Sequence, residues 1–172
     1  MNYYDFDVRS DFSEGESSIR EIAERAKLLG FKGICFAENF QSMKQIEELK
    51  EKTYKISKKT GIDIFLGFEA RNKYELRKLV NIRRKYDVLL VNGSDLDLSR
   101  KAVETPEVDI LTHPEIGKKD SGFNHVMAKL AKKNNVAVEI NFREILLSYK
   151  KKPLLPLLQS INSEPLKRRL EK

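Results

Sequence analysis

The sequence predicts an α/β protein of the TIM-like (β/α) barrel type. Strand-like and helix-like segments alternate six times along most of the 172 residues. The strand-like segments are continuous apolar runs, as expected for parallel strands that are buried on both faces. Neither a Gly-x-Gly-x-x-Gly sequence after the first strand nor a Walker A sequence occurs. A nucleotide-binding, doubly wound sheet therefore lacks its usual signature, and a barrel is favoured.

The first βα unit is clearly marked in the sequence. A strand is predicted over 2–8, and Ser18 and Glu21 then match a capping box, in which each side chain satisfies a free backbone N–H. Apolar residues recur at helical spacing from Ile19 to Leu29. Gly30 follows where a helix needs a left-handed residue to end.

The later units repeat this pattern with shorter connections. Strands are predicted over 31–36, 62–68, 87–91, 108–112 and 136–141, and helices over 41–59, 72–85, 98–103, 123–131 and 142–149. The fifth helix is marked by apolar residues at the i, i+3, i+4, i+7 spacing of an amphipathic helix. Gly61 is predicted to end the second helix.

The C-terminal part has a different composition. We assign 1–149 to barrel βα units and 150–172 to a basic, proline-containing connection and a C-terminal helix of the same domain. A complete eight-stranded barrel usually needs about 200 residues, so one or two units are lacking. Either a stretch between Lys152 and Gln159 is missing, or the barrel is open and a partner covers its edge. The first explanation is favoured, because a bare edge leaves hydrogen-bonding groups unpaired.

Composition limits the classes of function. Lys and Arg outnumber Asp and Glu by 33 to 26, and the net charge of +7 favours a polyanionic partner such as nucleic acid. A single cysteine argues against a disulfide framework and a cysteine zinc cluster, and two histidines leave little for a histidine-rich metal site. The longest apolar runs are too short to span a membrane, so no membrane partner is expected. The first residues do not match a secretory signal, and we therefore expect a cytoplasmic location.

Four segments resemble motifs of the PHP (polymerase and histidinol phosphatase) superfamily, a family of metal-dependent phosphoesterase barrels. These segments are 5–15, 33–39, 67–69 and 108–114. The resemblance places Asp7, Arg9 and Asn39 where the superfamily has metal-binding histidines. Glu38 stands at an aspartate position, Glu69 at a bridging carboxylate, and His113 at the strand-five histidine. Since a multinuclear site needs several imidazoles and carboxylates, and Arg9 puts a fixed cation among them, retained metal catalysis is not expected. A single metal ion on Asp7, Glu69 and His113 is the weaker alternative.

The second half resembles a more specific family, the 30-kilodalton protein subunit family of ribonuclease P. The resemblance lies in 113–131 and 136–142, and its most specific part is 118–141. That family is a degenerate relative of the PHP barrel, so the two resemblances agree. The segment 159–170 resembles the family's final stretch, whereas the family's intervening Ser-Ser-Gly strand is absent from this sequence. This absence supports an omitted segment between Lys152 and Gln159.

The resemblance implies an RNA-binding protein subunit of ribonuclease P that supports RNA-catalysed removal of the 5′ leader from precursor tRNA. It implies no catalytic residues and no bound cofactor in this chain, with magnesium serving the RNA-catalysed reaction. The implied partners are ribonuclease P RNA, precursor tRNA and the ferredoxin-like component 2, in a two-plus-two heterotetramer. The alternative hypothesis is a metal-dependent phosphoesterase of the PHP type.

Residues that bind RNA are predicted from clustered basic side chains, because phosphate contacts need Lys and Arg. The candidates are Lys118, Lys119, Arg71, Arg143, Arg100, Lys101, Lys150, Lys151, Lys152, Lys167, Arg168 and Arg169. Lys118 and Lys119 are the strongest candidates. They lie in a glycine-bounded loop after the fifth strand and inside the most specific segment of the family resemblance.

Overall fold

The computed structural model describes residues 2–114 and 122–140, in which strands and helices alternate as predicted. The strands are β1 (Tyr4–Val8), β2 (Gly33–Asn39), β3 (Asp63–Ala70), β4 (Val88–Asn92), β5 (Ile110–Thr112) and β6 (Ala137–Val138). The helices are α1 (Ile19–Leu28), α2 (Met43–Thr60), α3 (Lys73–Asn81), α4 (Leu96–Glu104) and α5 (His125–Asn134), and a 3₁₀ turn covers Arg83–Lys85. The helix predicted over 142–149 and the segment 150–172 lie outside the described residues.

The strands form one sheet in the order β1-β2-β3-β4-β5-β6. The β1/β2, β2/β3 and β5/β6 pairs are parallel. A consecutive order of parallel strands with helical crossovers is the singly wound topology of βα barrels, whereas a doubly wound sheet reverses its order at a switch point. The predicted α/β class with barrel-type topology is confirmed.

The chain divides into two compact units, Met1–Ala70 with Tyr74–Leu90 and Arg71–Lys73 with Val91–Lys172. The core of the first unit includes fully buried large side chains: Ile19, Phe36, Leu49, Phe68 and Leu79. The ring of Phe68 packs edge-on against Tyr86, with ring centroids 5.3 Å apart. The strands β2 and β3 are buried where they pair, which explains their continuous apolar sequences.

The second unit packs α4 against α5 beside the end of β4 and the strands β5 and β6. Its buried apolar residues include Val91, Leu98, Ala102, Leu111 and Ala131. The Thr112 hydroxyl donates to the Val91 carbonyl at 3.2 Å, and Asn134 Nδ2 donates to the Val103 carbonyl at 2.8 Å. Among the described helices, none is both long and apolar enough to cross a membrane.

Several predicted boundaries are wrong. The strand predicted over 62–68 continues to Ala70, the strand predicted over 136–141 covers Ala137–Val138 in the described residues, and the helix predicted over 123–131 continues to Asn134. The strand predicted over 31–36 instead runs from Gly33 to Asn39, because its parallel pairing with β3 continues to the Asn39/Glu69 pair. The helix predicted over 72–85 ends at Asn81, and the chain then tightens into the 3₁₀ turn. Because β2 and β3 both extend beyond their predicted ends, Glu38, Asn39 and Glu69 lie within the last residues of these strands and not after them.

Candidate functional site

Polar side chains of the first unit gather at the carboxyl ends of β1, β2 and β3. Glu38 and Asn39 are the last two residues of β2, and Glu69 is the second-to-last residue of β3. Arg9 and Ser10 directly follow β1. Since the carboxyl ends of neighbouring parallel strands meet at one edge of a sheet, these residues form one cluster, the strand-end cluster.

Arg9 is the cation of the strand-end cluster. Its Nη2 atom lies 3.1 Å from Asp7 Oδ1 and 3.0 Å from Glu69 Oε2. The Glu69 side chain is only 2% exposed, whereas the Arg9 side chain is 18% exposed. Burial by itself would lower the pKa of Arg9, but the Glu69 and Asp7 carboxylates outweigh burial and raise that pKa above its usual value. The guanidinium is therefore a permanent charge that neutralises buried carboxylate.

Ser10 and Glu38 form the buried part of the strand-end cluster. The Ser10 hydroxyl donates to Glu38 Oε1, and the Ser10 amide donates to the same oxygen at 3.3 Å. Both residues have no solvent exposure. The Ser10 carbonyl also accepts from the Ser13 and Gly15 amides, which fixes the turn after β1. Because this hydroxyl is inaccessible and committed to a carboxylate, the pair serves to hold the loop.

The strand-end cluster is a network of ion pairs and hydrogen bonds. A divalent cation bound between Asp7 and Glu69 would have to displace the Arg9 guanidinium, which stands between them. Glu38 Oε2 and Arg9 Nη1 are buried atoms with no hydrogen-bond partner among the described residues. The geometry supports a structural role for this cluster: one internal cation joins the ends of β1 and β3.

In the second unit, His113 and Glu139 connect the ends of β5 and β6. His113 Nδ1 lies 3.4 Å from Glu139 Oε2, and the His113 amide donates to the same oxygen at 3.1 Å. His113 has a left-handed backbone with φ 51°, a conformation uncommon for residues other than glycine. The double contact with Glu139 fixes the histidine at this turn.

The predicted RNA-binding residues fall into two groups. Arg71, Arg100 and Lys101 are exposed, and Arg100 is paired with Glu104 at 3.1 Å. The second group lies outside the described residues and consists of Lys118, Lys119, Arg143, Lys150, Lys151, Lys152, Lys167, Arg168 and Arg169. All of these assignments stay predictions.

Sequence reasoning missed two features of the first unit. One is the Ser10–Glu38 hydrogen bond, for which the sequence offers only a serine after the first strand. The other is the set of basic residues at the amino ends of the strands. Their signal in the sequence is the adjacent pair Lys58–Lys59 and the run Arg83–Lys85, which stand just before β3 and β4.

The topology and the strand-end cluster together define a class: a parallel βα protein of barrel topology whose strand-end carboxylates are held by an internal arginine. A family model described as RNase P subunit p30 matches residues 2–165. The chain belongs to the RNase P subunit p30 family, which confirms the family resemblance.

Archaeal relatives support this assignment. Two proteins named Ribonuclease P protein component 3 are each 37% identical to this chain. The alignment with the protein from Methanocaldococcus jannaschii covers 77% of this chain and 56% of that protein. The alignment with the protein from Methanococcoides burtonii covers 86% of this chain and 58% of that protein. The chain thus spans little more than half the length of these relatives.

A solved structure is also similar. It is titled "cryo-EM structure of archaeal Ribonuclease P with mature tRNA", and one of its chains superimposes with a TM-score of 0.66 at 28% identity. The alignment covers 98% of this chain and 70% of that chain.

Proposed function

We propose that this chain is an RNA-binding protein subunit of ribonuclease P that supports RNA-catalysed removal of the 5′ leader from precursor tRNA. The observation that carries the proposal is the family match over residues 2–165. The similarity to a chain of an archaeal ribonuclease P solved with mature tRNA supports it. The net charge of +7 suits a partner with a phosphate backbone.

The proposal includes specific partners. These are ribonuclease P RNA, precursor tRNA and the ferredoxin-like component 2, in a two-plus-two heterotetramer in the cytoplasm. Magnesium serves the chemistry carried by the RNA, and this chain binds no cofactor of its own.

The strand-end cluster favours this function over a PHP-type phosphoesterase. A metal-dependent phosphoesterase needs carboxylates that are free to bind divalent ions. In this chain the Asp7 and Glu69 carboxylates are bridged by the Arg9 guanidinium, and Ser10 is committed to Glu38. Arg9 therefore already pairs with two of the three carboxylates of the cluster, those of Asp7 and Glu69.

Reconstitution from purified parts tests the proposal. Ribonuclease P RNA and component 2 from the source organism are combined with precursor tRNA in magnesium, with and without this chain. We expect kcat/KM to fall about tenfold or more without the chain, equivalent to about 1.4 kcal/mol or more of transition-state free energy. Equal cleavage in both mixtures would refute the proposal.

Metal analysis of the purified chain separates the two functions. The RNA-binding role predicts no stoichiometric zinc, manganese or iron and no hydrolysis of a phosphomonoester. Near-stoichiometric metal together with phosphomonoesterase activity would favour the phosphoesterase.

A further inference from the structure

We propose that RNA phosphates bind this chain at the amino ends of the strands of the first unit. The basic residues there are Lys27, Lys32, Lys58, Lys59, Arg83, Arg84 and Lys85, and we call them the amino-end surface. This inference rests on the proposed RNA-binding function and assigns it a location. It differs from the location that the sequence favours, at Lys118 and Lys119 after the fifth strand.

The topology brings the amino-end surface together. Each helix of a βα unit runs antiparallel to its strands, so helix C-termini lie where the following strands begin. Lys27, in the last turn of α1, donates through Nζ to the Thr60 carbonyl at the end of α2 at 2.6 Å. The Lys32 amide donates to the Tyr3 carbonyl at 2.8 Å, and the Lys32 carbonyl accepts from the Asp63 amide at 3.0 Å. These contacts place Lys27 and Lys32 beside the starts of β1 and β3.

The 3₁₀ turn before β4 contributes the remaining cations. Arg83 is held in place, because its guanidinium donates to the carbonyls of Tyr86 and Asp87 at 3.1 and 3.0 Å. The Asp87 amide donates to the Leu66 carbonyl at 2.8 Å, which ties this turn to β3. Arg84 and Lys85 are exposed.

Helix dipoles explain only part of this surface. Basic residues stabilise helix C-termini, which accounts for Lys27, Lys58 and Lys59. Lys32 lies in the connection before β2 and is paired with Asp63 at 3.9 Å. Arg84 and Lys85 lie in the 3₁₀ turn, where no such effect of an α-helix applies. Phosphate binding gives these two exposed cations a role.

Acidic side chains at the amino ends are already engaged. Asp63 Oδ2 lies 3.9 Å from Lys32 Nζ, and Asp87 Oδ2 accepts from the Leu66 amide at 2.8 Å. At the opposite ends of the same strands lie the three carboxylates of Asp7, Glu38 and Glu69, with Arg9 as the cation among them. The first unit therefore carries an excess of cations at one end of its strands and an excess of carboxylates at the other. A polyanion is attracted to the amino ends and repelled by the carboxyl ends.

A salt titration of variants tests the location. The binding of the full chain, together with component 2, to ribonuclease P RNA of the source organism is measured at several salt concentrations. The triple variant K59A/R84A/K85A removes exposed cations of the amino-end surface. Each phosphate contact contributes about 0.7 to 0.9 to the slope of log affinity against log salt, so the slope should fall by about two.

A second triple variant controls for net charge. R20A/K44A/K55A also removes three cations, and each of them is paired with a glutamate one helical turn away. We expect its slope to change by less than about one. A third variant, K59Q/R84Q/K85Q, removes the same three charges but keeps polar side chains. It gives a second measurement of the slope if the alanine variant does not fold. Thermal melts accompany each titration.

The outcomes separate this inference from the proposed function. A fall in slope with both K59A/R84A/K85A and K59Q/R84Q/K85Q, but not with the control, supports the amino-end surface. If the wild type binds the RNA and the slope of these variants is unchanged, the location is wrong and the proposed function stands. Equal losses in the control triple also overturn the location, since net charge alone would explain them. If the wild type does not bind the RNA, the proposed function and the location inferred from it are both wrong.

Discussion

Arg9 shows how one residue can hold several strand ends. Its guanidinium contacts the Asp7 and Glu69 carboxylates at 3.1 and 3.0 Å, and Glu69 is almost fully buried. Truncation in R9A leaves the buried Glu69 carboxylate without this cation. We expect R9A to lower the free energy of unfolding by roughly 2–4 kcal/mol, somewhat less than for a fully buried pair because Arg9 is partly exposed. Urea denaturation of the purified chain measures this loss.

A surface arginine provides the matched control. Arg20 pairs with Glu24 at 2.8 Å, but both side chains are about half exposed. Exposed pairs of this kind contribute about 0.2–1 kcal/mol, so R20A should cost little. If R9A is no more destabilising than R20A, the strand-end cluster does not hold the first unit together.

The lysines at 118 and 119 give a second prediction at the scale of single residues. The sequence predicts a loop bracketed by Gly117 and Gly122, in which the two ammonium groups are not both buried, since an unpaired buried ammonium is costly. Asp120 can pair well with only one of them. The double variant K118A/K119A should reduce the salt slope of RNA binding by about one to two, and should change stability by no more than about 0.5 kcal/mol.

Salt titration and thermal melts of the double variant, each with component 2 present, provide the measurement. An unchanged slope with unchanged stability would assign Lys118 and Lys119 to solvent. In that case the amino-end surface would be the favoured RNA contact.

Residue types were predictable from sequence where their chemistry is unusual, and pairings were not. The sequence shows that Arg9 puts a fixed cation near a strand end. The family resemblance places Arg9 among carboxylates, but its contacts with Asp7 and Glu69 depend on the registers of β1 against β2 and of β2 against β3, which a sequence alone does not specify. The Ser10–Glu38 bond depends in the same way on how β1 lies beside β2.

At the scale of elements, we expect the capping box of α1 to couple folding to pH. Glu21 Oε2 accepts from the Ser18 amide at 2.9 Å and from the Ser18 hydroxyl at 2.7 Å. These hydrogen bonds, first from the side chain and then from the backbone, lower the pKa of Glu21 below its usual value. A lowered folded-state pKa means that the stabilisation is present at neutral pH and is lost as pH falls through that pKa.

The variant E21Q tests this coupling. We expect E21Q to be less stable than the wild type at pH 7, and the gap to close as pH falls through and below the usual carboxyl range. Denaturation curves of both proteins from pH 7 to about pH 3 measure the gap. E16Q, which changes an exposed glutamate outside the helix, is the control. A gap that stays constant over this range would show that the carboxylate of Glu21 plays no part in the cap.

Element type was predictable because local signals and periodicity agreed, whereas element ends depended on tertiary contacts. Ser18 caps α1 as predicted, since the capping box is encoded within four residues. The end of β2 depends on its pairing with β3, and the end of α3 depends on how the chain enters β4. Such contacts lie outside any local sequence window.

At the scale of the whole chain, composition predicted a polyanionic partner but not where it binds. The net charge of +7 is a sum over the whole chain. The same sum results whether the basic residues are spread evenly over the surface or collected at one end of the strands. In the first unit, the direction of the strands separates the charges, with Lys59, Arg84 and Lys85 toward the amino ends and Glu38 and Glu69 at the carboxyl ends. Only the topology shows this separation.

The same charge arrangement predicts that the chain alone does not cleave precursor tRNA. Hydrolysis of a phosphodiester needs an activated nucleophile and stabilisation of the developing charge, often by metal ions. In the strand-end cluster, Arg9 occupies the space between the Asp7 and Glu69 carboxylates, and the Ser10 hydroxyl is buried against Glu38. The test incubates RNA-free, nuclease-free chain with 5′-labelled precursor tRNA in magnesium. We expect no leader release until ribonuclease P RNA and component 2 are added to the same sample, which also shows that the chain is competent. Leader release before that addition, and its loss in R9A, would place catalysis in the protein.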